Sequence, residues 1–392
     1  MCAEDSYGYY VYKNQKSHNK YDVITKAERV EDVKWIYNDE YFSSFDWTKE
    51  PVDSLPNLYA ARARKLREQY DYVILMYSGG SDSFNILDTF VNYNIKLDEV
   101  VHLINYEGSK DKKSFQNKEV FYVAKPKVDA LIKEKRLLTT SRVIDITSRS
   151  INGFNSKTKF DFIHTINNFA SPHNQSKTTL YLEVEKWRNL VSSGKKICFL
   201  WGGEKPYVNY IDEKWFFYFI DIISLRRQIG NSSEMTGNNG VTNELFYWAP
   251  TFESTQIMIK QAHLIKNYFS VESNLEYLQT IQYGTGEEIT GRFNTKNGKI
   301  INLGGEILKK LIYPNWNSLD CVMLKSPTGS ILSSRDSWFW KDVYHPSTVI
   351  FLNGILHFRK TIKKCWIQGY IAHNGVIYPK CIRRIESKRY YL

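Results

Sequence analysis

The run YVILMY, Tyr72 to Tyr77, passes without a polar interruption into Ser78-Gly79-Gly80-Ser81-Asp82-Ser83. Text whose apolar residues recur at helical spacing (Phe84, Leu87, Phe90, Val91) follows at once. An unbroken apolar run of this length fits a strand buried on both faces, as inside a parallel sheet. Upstream, SLPNLYAARARKLREQYD has a helical period of its own, with Ser54 placed to cap it and Pro56 suited to its first turn. The order helix, strand, glycine turn, helix restricts the chain to an α/β architecture. The alternation continues. Strands are expected at Glu99 to Asn105, Arg142 to Ile146 and Lys196 to Trp201, and helices over Asn117 to Glu134 and Leu180 to Val191. Such alternation implies a doubly wound parallel sheet with right-handed crossovers.

The glycine turn has a chemical reading. Gly79 and Gly80 let backbone amides approach an anion with no Cβ in the way. The following helix aims its first N–H groups and positive dipole end at the same point. Ser78 and Ser83 add hydroxyl donors, and Asp82 is placed to hold Mg²⁺ through water or to position loop amides. No GK[ST] follows, so this is not a Walker A loop. The competing reading is an ordinary strand-to-helix turn with Ser81 or Asp82 as N-cap. The buried strand before the loop and the helix after it favour the phosphate cradle.

In a doubly wound sheet, ligands sit beyond the carboxyl ends of the strands. Asn105 and Tyr106 follow the second strand, with Tyr106 able to stack on a base; a plain loop is the alternative. Thr147-Ser148-Arg149 follows the third, with Arg149 a phosphate candidate. Gly202-Gly203-Glu204-Lys205-Pro206 follows the fourth. Its glycines permit close approach, Glu204 is a metal or substrate ligand, and Lys205 would offset charge on a phosphate. The alternative there is a turn with a solvated ion pair.

The formal charge of +11 attracts nucleic acid and phosphorylated small molecules alike. In HFRKTIKKCW and CIRRIESKRYYL, Trp366 or Tyr390 is a candidate for stacking on bases, against the plainer reading of a solvated basic surface. ESTQIMIKQAHLIKNYF is an amphipathic helix whose Lys260, His263 and Lys266 form a basic face or simply flank a packed one. WFFYFIDIISL, Trp215 to Leu225, reads as a buried helix, too short to cross a bilayer. The beginning MCAEDSYGYY lacks the pattern of a signal peptide. A cytoplasmic protein without a membrane partner is expected. Five scattered cysteines form no CxxC pair, which argues for free thiols and against a zinc or iron–sulfur site.

Three regions are expected: an extension without clear periodicity over 1–55, a nucleotide-binding domain over 56–228, and a C-terminal α+β domain over 229–392. GNSSEMTGNNGVTN reads as a linker between the last two. YIAHNGVIYP, with Asn374-Gly375 between apolar alternations, reads as a hairpin.

Ser78 to Ser83 matches SGGxDS at every fixed position, and on this motif the chain resembles the PP-loop ATP pyrophosphatase superfamily. Over Phe45 to Ser83 it looks closest to PAPS-reductase-like PP-loop proteins of phage genomes, which would put it in a host cytoplasm. The resemblance implies a sheet of HUP type, ATP as ligand with Mg²⁺, and ATP contacts at Ser78, Gly79, Gly80, Asp82 and Ser83. It also implies cleavage of ATP between the α- and β-phosphates to adenylate a substrate for attack by a nucleophile. Asp82 and Glu204 would then manage Mg²⁺, and Lys205 would balance α-phosphate charge. The second substrate is either a nucleic-acid base or a small amine or carboxylate metabolite. Two alternatives are a PAPS-reductase-like thiol enzyme centred on Cys381 and an ATP-binding module without catalysis. Cys381 lies in YPKCIRR, however, without the Glu-Cys-Gly of the reductases. Met1-Cys2 matches the start of glutamine-dependent asparagine synthetase, but Ala3 replaces the expected glycine and too few residues precede Ser78 for a glutaminase domain.

Overall fold

Five parallel strands run through the middle of the molecule, and their faces show why the chain needs two layers of helices. In β4 (Tyr72–Met76) every residue is buried. Side chains alternate across the sheet, so Val73 and Leu75 join one core cluster while Tyr72, Ile74 and Met76 join another. These descriptions come from a computed structural model covering residues 8–114, 117–149, 180–203, 206–221, 240–271, 306–316, 360–367, 370–373, 376–379 and 382–392, with short pieces at 151, 292–294, 300–302, 349, 353 and 356–357.

The other strands of this sheet are β5 (Glu99–Ile104), β6 (Thr140–Asp145), β7 (Ile197–Trp201) and β10 (Val241–Leu245), in the order β10-β7-β4-β5-β6. All four neighbouring pairs are parallel. The chain thus leaves β4 toward β5 and β6, then returns to lay β7 and β10 on the other side. Strand order reverses at β4. The α/β class is as expected, and the arrangement is compatible with a Rossmann-like or HUP fold.

The α-helices are α1 (Lys20–Ile24), α2 (Asp39–Ser43), α3 (Leu55–Gln69), α4 (Ser81–Asn92), α5 (Tyr106–Ser109), α6 (Lys125–Lys133), α7 (Glu185–Ser192), α8 (Phe252–Phe269) and α9 (Glu306–Ile312). Leu58 and Leu66 of α3, Leu87 of α4, Val128 of α6 and Ile257 of α8 share the core with Val73 and Leu75. On the opposite face Trp187 of α7 lies with Ile74 and Phe199. The Ser54 side chain caps α3 through the Asn57 N–H, as expected.

Several expectations need correction. Trp215 to Leu225 is not a helix where it is described. Lys214–Tyr218 is strand β9, paired antiparallel with β8 (Tyr207–Ile211) on one side and with β15 (Tyr390–Tyr391) on the other. The two-residue turn at Asp212 and Glu213 has φ of 50° and 60°, the geometry of a tight hairpin. GNSSEMTGNNGVTN is not a linker throughout, because its last residues enter β10. Both β10 and α8 lie past the boundary expected at 228, and both pack into the sheet unit. The segment before residue 55 contains a three-stranded antiparallel sheet of β1 (Tyr9–Tyr12), β2 (Gln15–Ser17) and β3 (Val33–Ile36), in the order β2-β1-β3.

This early segment is tied to the distant chain. Lys20 Nζ lies 2.5 Å from Asp221 Oδ2 with both side chains buried, and Tyr10 donates to the same oxygen at 3.2 Å. Trp47 stacks on Tyr390 at 4.8 Å between ring centroids, and Trp366 Nε1 donates to Ala27 O at 3.0 Å. Two short antiparallel pairs complete the strands, β11 (Arg292–Asn294) with β12 (Ile300–Asn302), and β13 (Tyr370–His373) with β14 (Val376–Pro379). The latter is the hairpin expected around Asn374-Gly375, two residues that themselves lie outside the described set. Among the described residues no helix is long and apolar enough to cross a membrane.

Candidate functional site

The loop after β4 is shaped by one glycine that no other residue replaces without strain. Gly79 has φ +88°, and a Cβ there would stand 3.0 Å from Ala124 Cβ and 3.2 Å from Glu119 Cγ. Left-handed backbone is open to glycine and costly for others. Gly80 is the N-cap of α4 and lends it no side-chain hydrogen bond, unlike Ser54 at α3 or Thr251 at α8. Ser81 and Asp82 are therefore not the caps but the first helical residues. Ser78 Oγ accepts from Gly80 N at 3.3 Å and lies 3.2 Å from Ser83 Oγ, which donates to Gly80 O at 3.1 Å. The two hydroxyls brace the turn from inside. Ser78 is exposed, Ser81 and Ser83 are buried, and Asp82 is half-buried.

The second loop meets the first. A Cβ on Gly202 would stand 2.8 Å from Ser83 N, 3.0 Å from Asp82 C and 3.1 Å from Ser83 Cα. Only a glycine lets the end of β7 lie against the first turn of α4. Gly203 is similarly close to Leu245, with a Cβ 2.7 Å from its Cδ2. Glu204 and Lys205 lie outside the described residues, so the metal and charge roles expected of them have no geometry here.

The remaining strand ends are nearby in the sheet but differently engaged. Asn105 is fully buried, and its N–H donates to Asn117 Oδ1 at 2.9 Å. Tyr106 begins α5 and sets its ring edge-on to Phe121 at 6.2 Å. Asp145 and Thr147 hold α5 through the N–H groups of Glu107 (2.8 Å) and Gly108 (3.1 Å). These contacts make the loops after β5 and β6 one unit. Arg149 is ion-paired with Glu183.

Sequence reasoning missed three side chains at Asp82 and its loop. Tyr313 Oη donates to Asp82 Oδ1, and Tyr247 Oη donates to Asp82 O at 3.1 Å. Burial, then the Asp82 charge, pushes the Tyr313 phenol well above its ordinary value; burial does the same first for Tyr247. Both are thus fixed as neutral donors. Glu119 lies over the glycines, its Oε1 4.0 Å from where a Gly80 Cβ would be. No local pattern announces any of the three, since each reaches the loop across a long stretch of chain.

Other candidates have structural partners. His263 is buried, its ring Nε2 2.9 Å from Trp47 O, and Lys260 pairs with Glu50 at 2.7 Å. The packed-helix reading of α8 describes both. Trp366 and Tyr390 are buried, which corrects the idea that they stack on bases. Cys198 is buried in β7, and burial raises the Cys365 thiol, so neither has the character of an activated thiolate. Cys2, Cys321 and Cys381 lie outside the described residues.

Gly80 brings no side chain to the first turn of α4, where a helix N-terminus suits an anion. For Mg²⁺, no cluster of three or more His, Cys, Asp or Glu occurs among the described residues. A Mg²⁺ that travels with substrate phosphates needs only one or two carboxylates, and Asp82 is suited to that. No protein-family model matches this chain, and a search of curated proteins gives no match.

Proposed function

We propose that the chain is an ATP pyrophosphatase of PP-loop type, which adenylates a second substrate and releases pyrophosphate. The observation that carries this reading is the meeting of two glycine loops at the point where strand order reverses. The loop after β4 and the loop after β7 touch there, at the first turn of α4. Open α/β sheets bind ligands at such a switch point, outside the carboxyl ends of the strands.

The residues divide the task. Backbone amides of the Ser78–Ser83 loop and the end of α4 hold the β,γ-pyrophosphate portion, with Ser78 the exposed hydroxyl donor. Asp82, with Glu204, holds the metal that shields phosphate charge, and Lys205 offsets charge at the α-phosphate. An acceptor oxygen forms a bond to the α-phosphorus as the bond to the bridging oxygen breaks, and pyrophosphate leaves with that electron pair. An amine or another nucleophile then displaces AMP. Tyr106, partly exposed after β5, would border the adenosine side, whereas the fully buried Asn105 would only support that loop. The acceptor is a nucleic-acid base or a small carboxylate or carbonyl metabolite, and ATP is the nucleotide partner.

The test is AMP and pyrophosphate release from ATP–Mg²⁺, with and without a mixed extract of nucleic acid and amines, for wild type and Asp82→Ala. Extract-stimulated AMP that disappears in the variant supports the reading. Binding of ATP with no AMP under any condition replaces it with a non-catalytic nucleotide module.

A further inference from the structure

We propose that Tyr313 is a positioning residue for Asp82, so that the segment from α9 to Trp316 completes the nucleotide site. The proposal rests on the ATP-binding reading of the loop and adds to it a part of the chain that no motif marks.

The geometry is specific. Asp82 is held at both ends, its carboxylate by the Tyr313 hydroxyl and its carbonyl by the Tyr247 hydroxyl at 3.1 Å. Tyr247 in turn accepts from Asn85 Nδ2 at 3.0 Å, one helical turn further along α4. The rings of Tyr247 and Tyr313 are 5.8 Å apart, and Tyr59 meets Tyr247 edge-on at 6.0 Å. Tyr59 donates to Ile312 O and accepts from Gln261 Nε2 at 2.9 Å. Residues from α3, α8 and α9 thereby fix the position of the Tyr313 hydroxyl. The segment is also strapped along α4, since Asn315 Nδ2 donates to Asp88 Oδ2 at 2.7 Å and Trp316 lies 6.1 Å from Phe84.

A carboxylate on the first turn of a helix has several staggered rotamers available. A buried phenol that donates to one oxygen selects a single one. It also leaves the negative charge on Asp82, because a phenol donates without neutralising it. Preorganised charge is what a metal-bound triphosphate requires, since reorienting the carboxylate on binding would cost affinity. The tyrosine is thus placed to act on Mg²⁺–ATP rather than on ATP alone.

The experiment compares calorimetric binding of ATP with Mg²⁺ and with EDTA for wild type, Tyr313→Phe, Asp82→Asn and the double variant, alongside thermal melting of each. Tyr313→Phe keeps the ring and removes only the hydroxyl. A hydrogen bond to a charged group accounts for about a tenfold loss of Mg²⁺–ATP affinity or more. The expected result is that loss in Mg²⁺, little change in EDTA, and a double variant no worse than Asp82→Asn. Equal losses in Mg²⁺ and EDTA, or additive losses in the double variant, overturn the positioning role and leave Tyr313 a packing residue. If Tyr313→Phe melts early, Tyr247→Phe supplies the same comparison at the Asp82 carbonyl, where the loss should be the same in Mg²⁺ and EDTA. A Mg²⁺-specific loss there would place the effect in the packing of the cluster and overturn the role of the Tyr313 hydroxyl. Wild type that binds no ATP in either condition removes the underlying reading and the proposal with it.

Discussion

Replacing Gly202 by alanine tests whether the two glycine loops meet as described. The added methyl would stand 2.8 Å from Ser83 N, 3.0 Å from Asp82 C and 3.1 Å from Ser83 Cα. Comfortable carbon contacts begin near ~3.5 Å, so each pair is short by roughly half an ångström. All three atoms are backbone in the first turn of α4, and no side-chain rotation relieves them. Either the end of β7 or the turn itself must move. Overpacking of this kind costs roughly 1–3 kcal/mol. Moving the turn also misaims the loop amides, at about 1 kcal/mol for each hydrogen bond weakened, which is close to a tenfold loss of ATP affinity for one or two bonds. Gly203→Ala is the matched control. Its nearest neighbour is Leu245 Cδ2 at 2.7 Å, the end of a side chain that can turn aside. Urea titration and calorimetric ATP binding on both variants decide the matter. Gly202→Ala should be the less stable and the weaker binder. If Gly203→Ala is the more damaged of the two, or Gly202→Ala matches wild type in both assays, the loop after β7 does not lie against α4.

His102 supplies a pH dependence. It is buried beside Tyr77, its Nδ1 3.0 Å from Tyr77 O, and burial pushes its pKa down from 6.5 to about 4. As pH falls the unfolded chain takes up the proton first, so its contribution is whole above pH 6.5 and is lost between there and pH 4. The loss amounts to roughly 3 kcal/mol. Urea midpoints at pH 7 and pH 4.5 should therefore lie closer together for His102→Gln than for wild type. Lys20→Met leaves Asp221 buried without its cation, and removing one partner of such a pair costs roughly 3–5 kcal/mol. A melting temperature unchanged by Lys20→Met would contradict the burial assigned to the pair.

The parts of the fold that could be read in the sequence are those with local signals. β4 and β7 are continuous apolar runs closed by glycines, and α3 carries its own cap and period. β9 is not legible because WFFYFI has no period, and strand and buried helix look alike in such text. Its turn offered no help either, since Asp212-Glu213 adopts positive φ without a glycine or asparagine. β10 is hidden because it emerges from Gly- and Asn-rich text and finds its partner in β7. The same holds for the candidate site. Gly79, Gly80 and Asp82 announce themselves through a compact motif, whereas Tyr247 and Tyr313 reach Asp82 from far along the chain. Trp366 and Tyr390 resemble exposed stacking residues in a basic tail. They are buried because the tail folds back on the chain after α1, on α2 and on β9, with Trp366 Nε1 donating to Ala27 O and Tyr390 6.2 Å from Phe42. Charge patterning carries no trace of that long-range packing.

The most direct test of the central claim is the fate of ATP labelled at the γ-phosphate, incubated with Mg²⁺, the protein and the stimulating extract. Cleavage between the α- and β-phosphates predicts that the label leaves as pyrophosphate, with an equal amount of AMP, and that Asp82→Ala abolishes both. Label released as orthophosphate with matching ADP would contradict the account, because the loop would then serve γ-phosphate transfer.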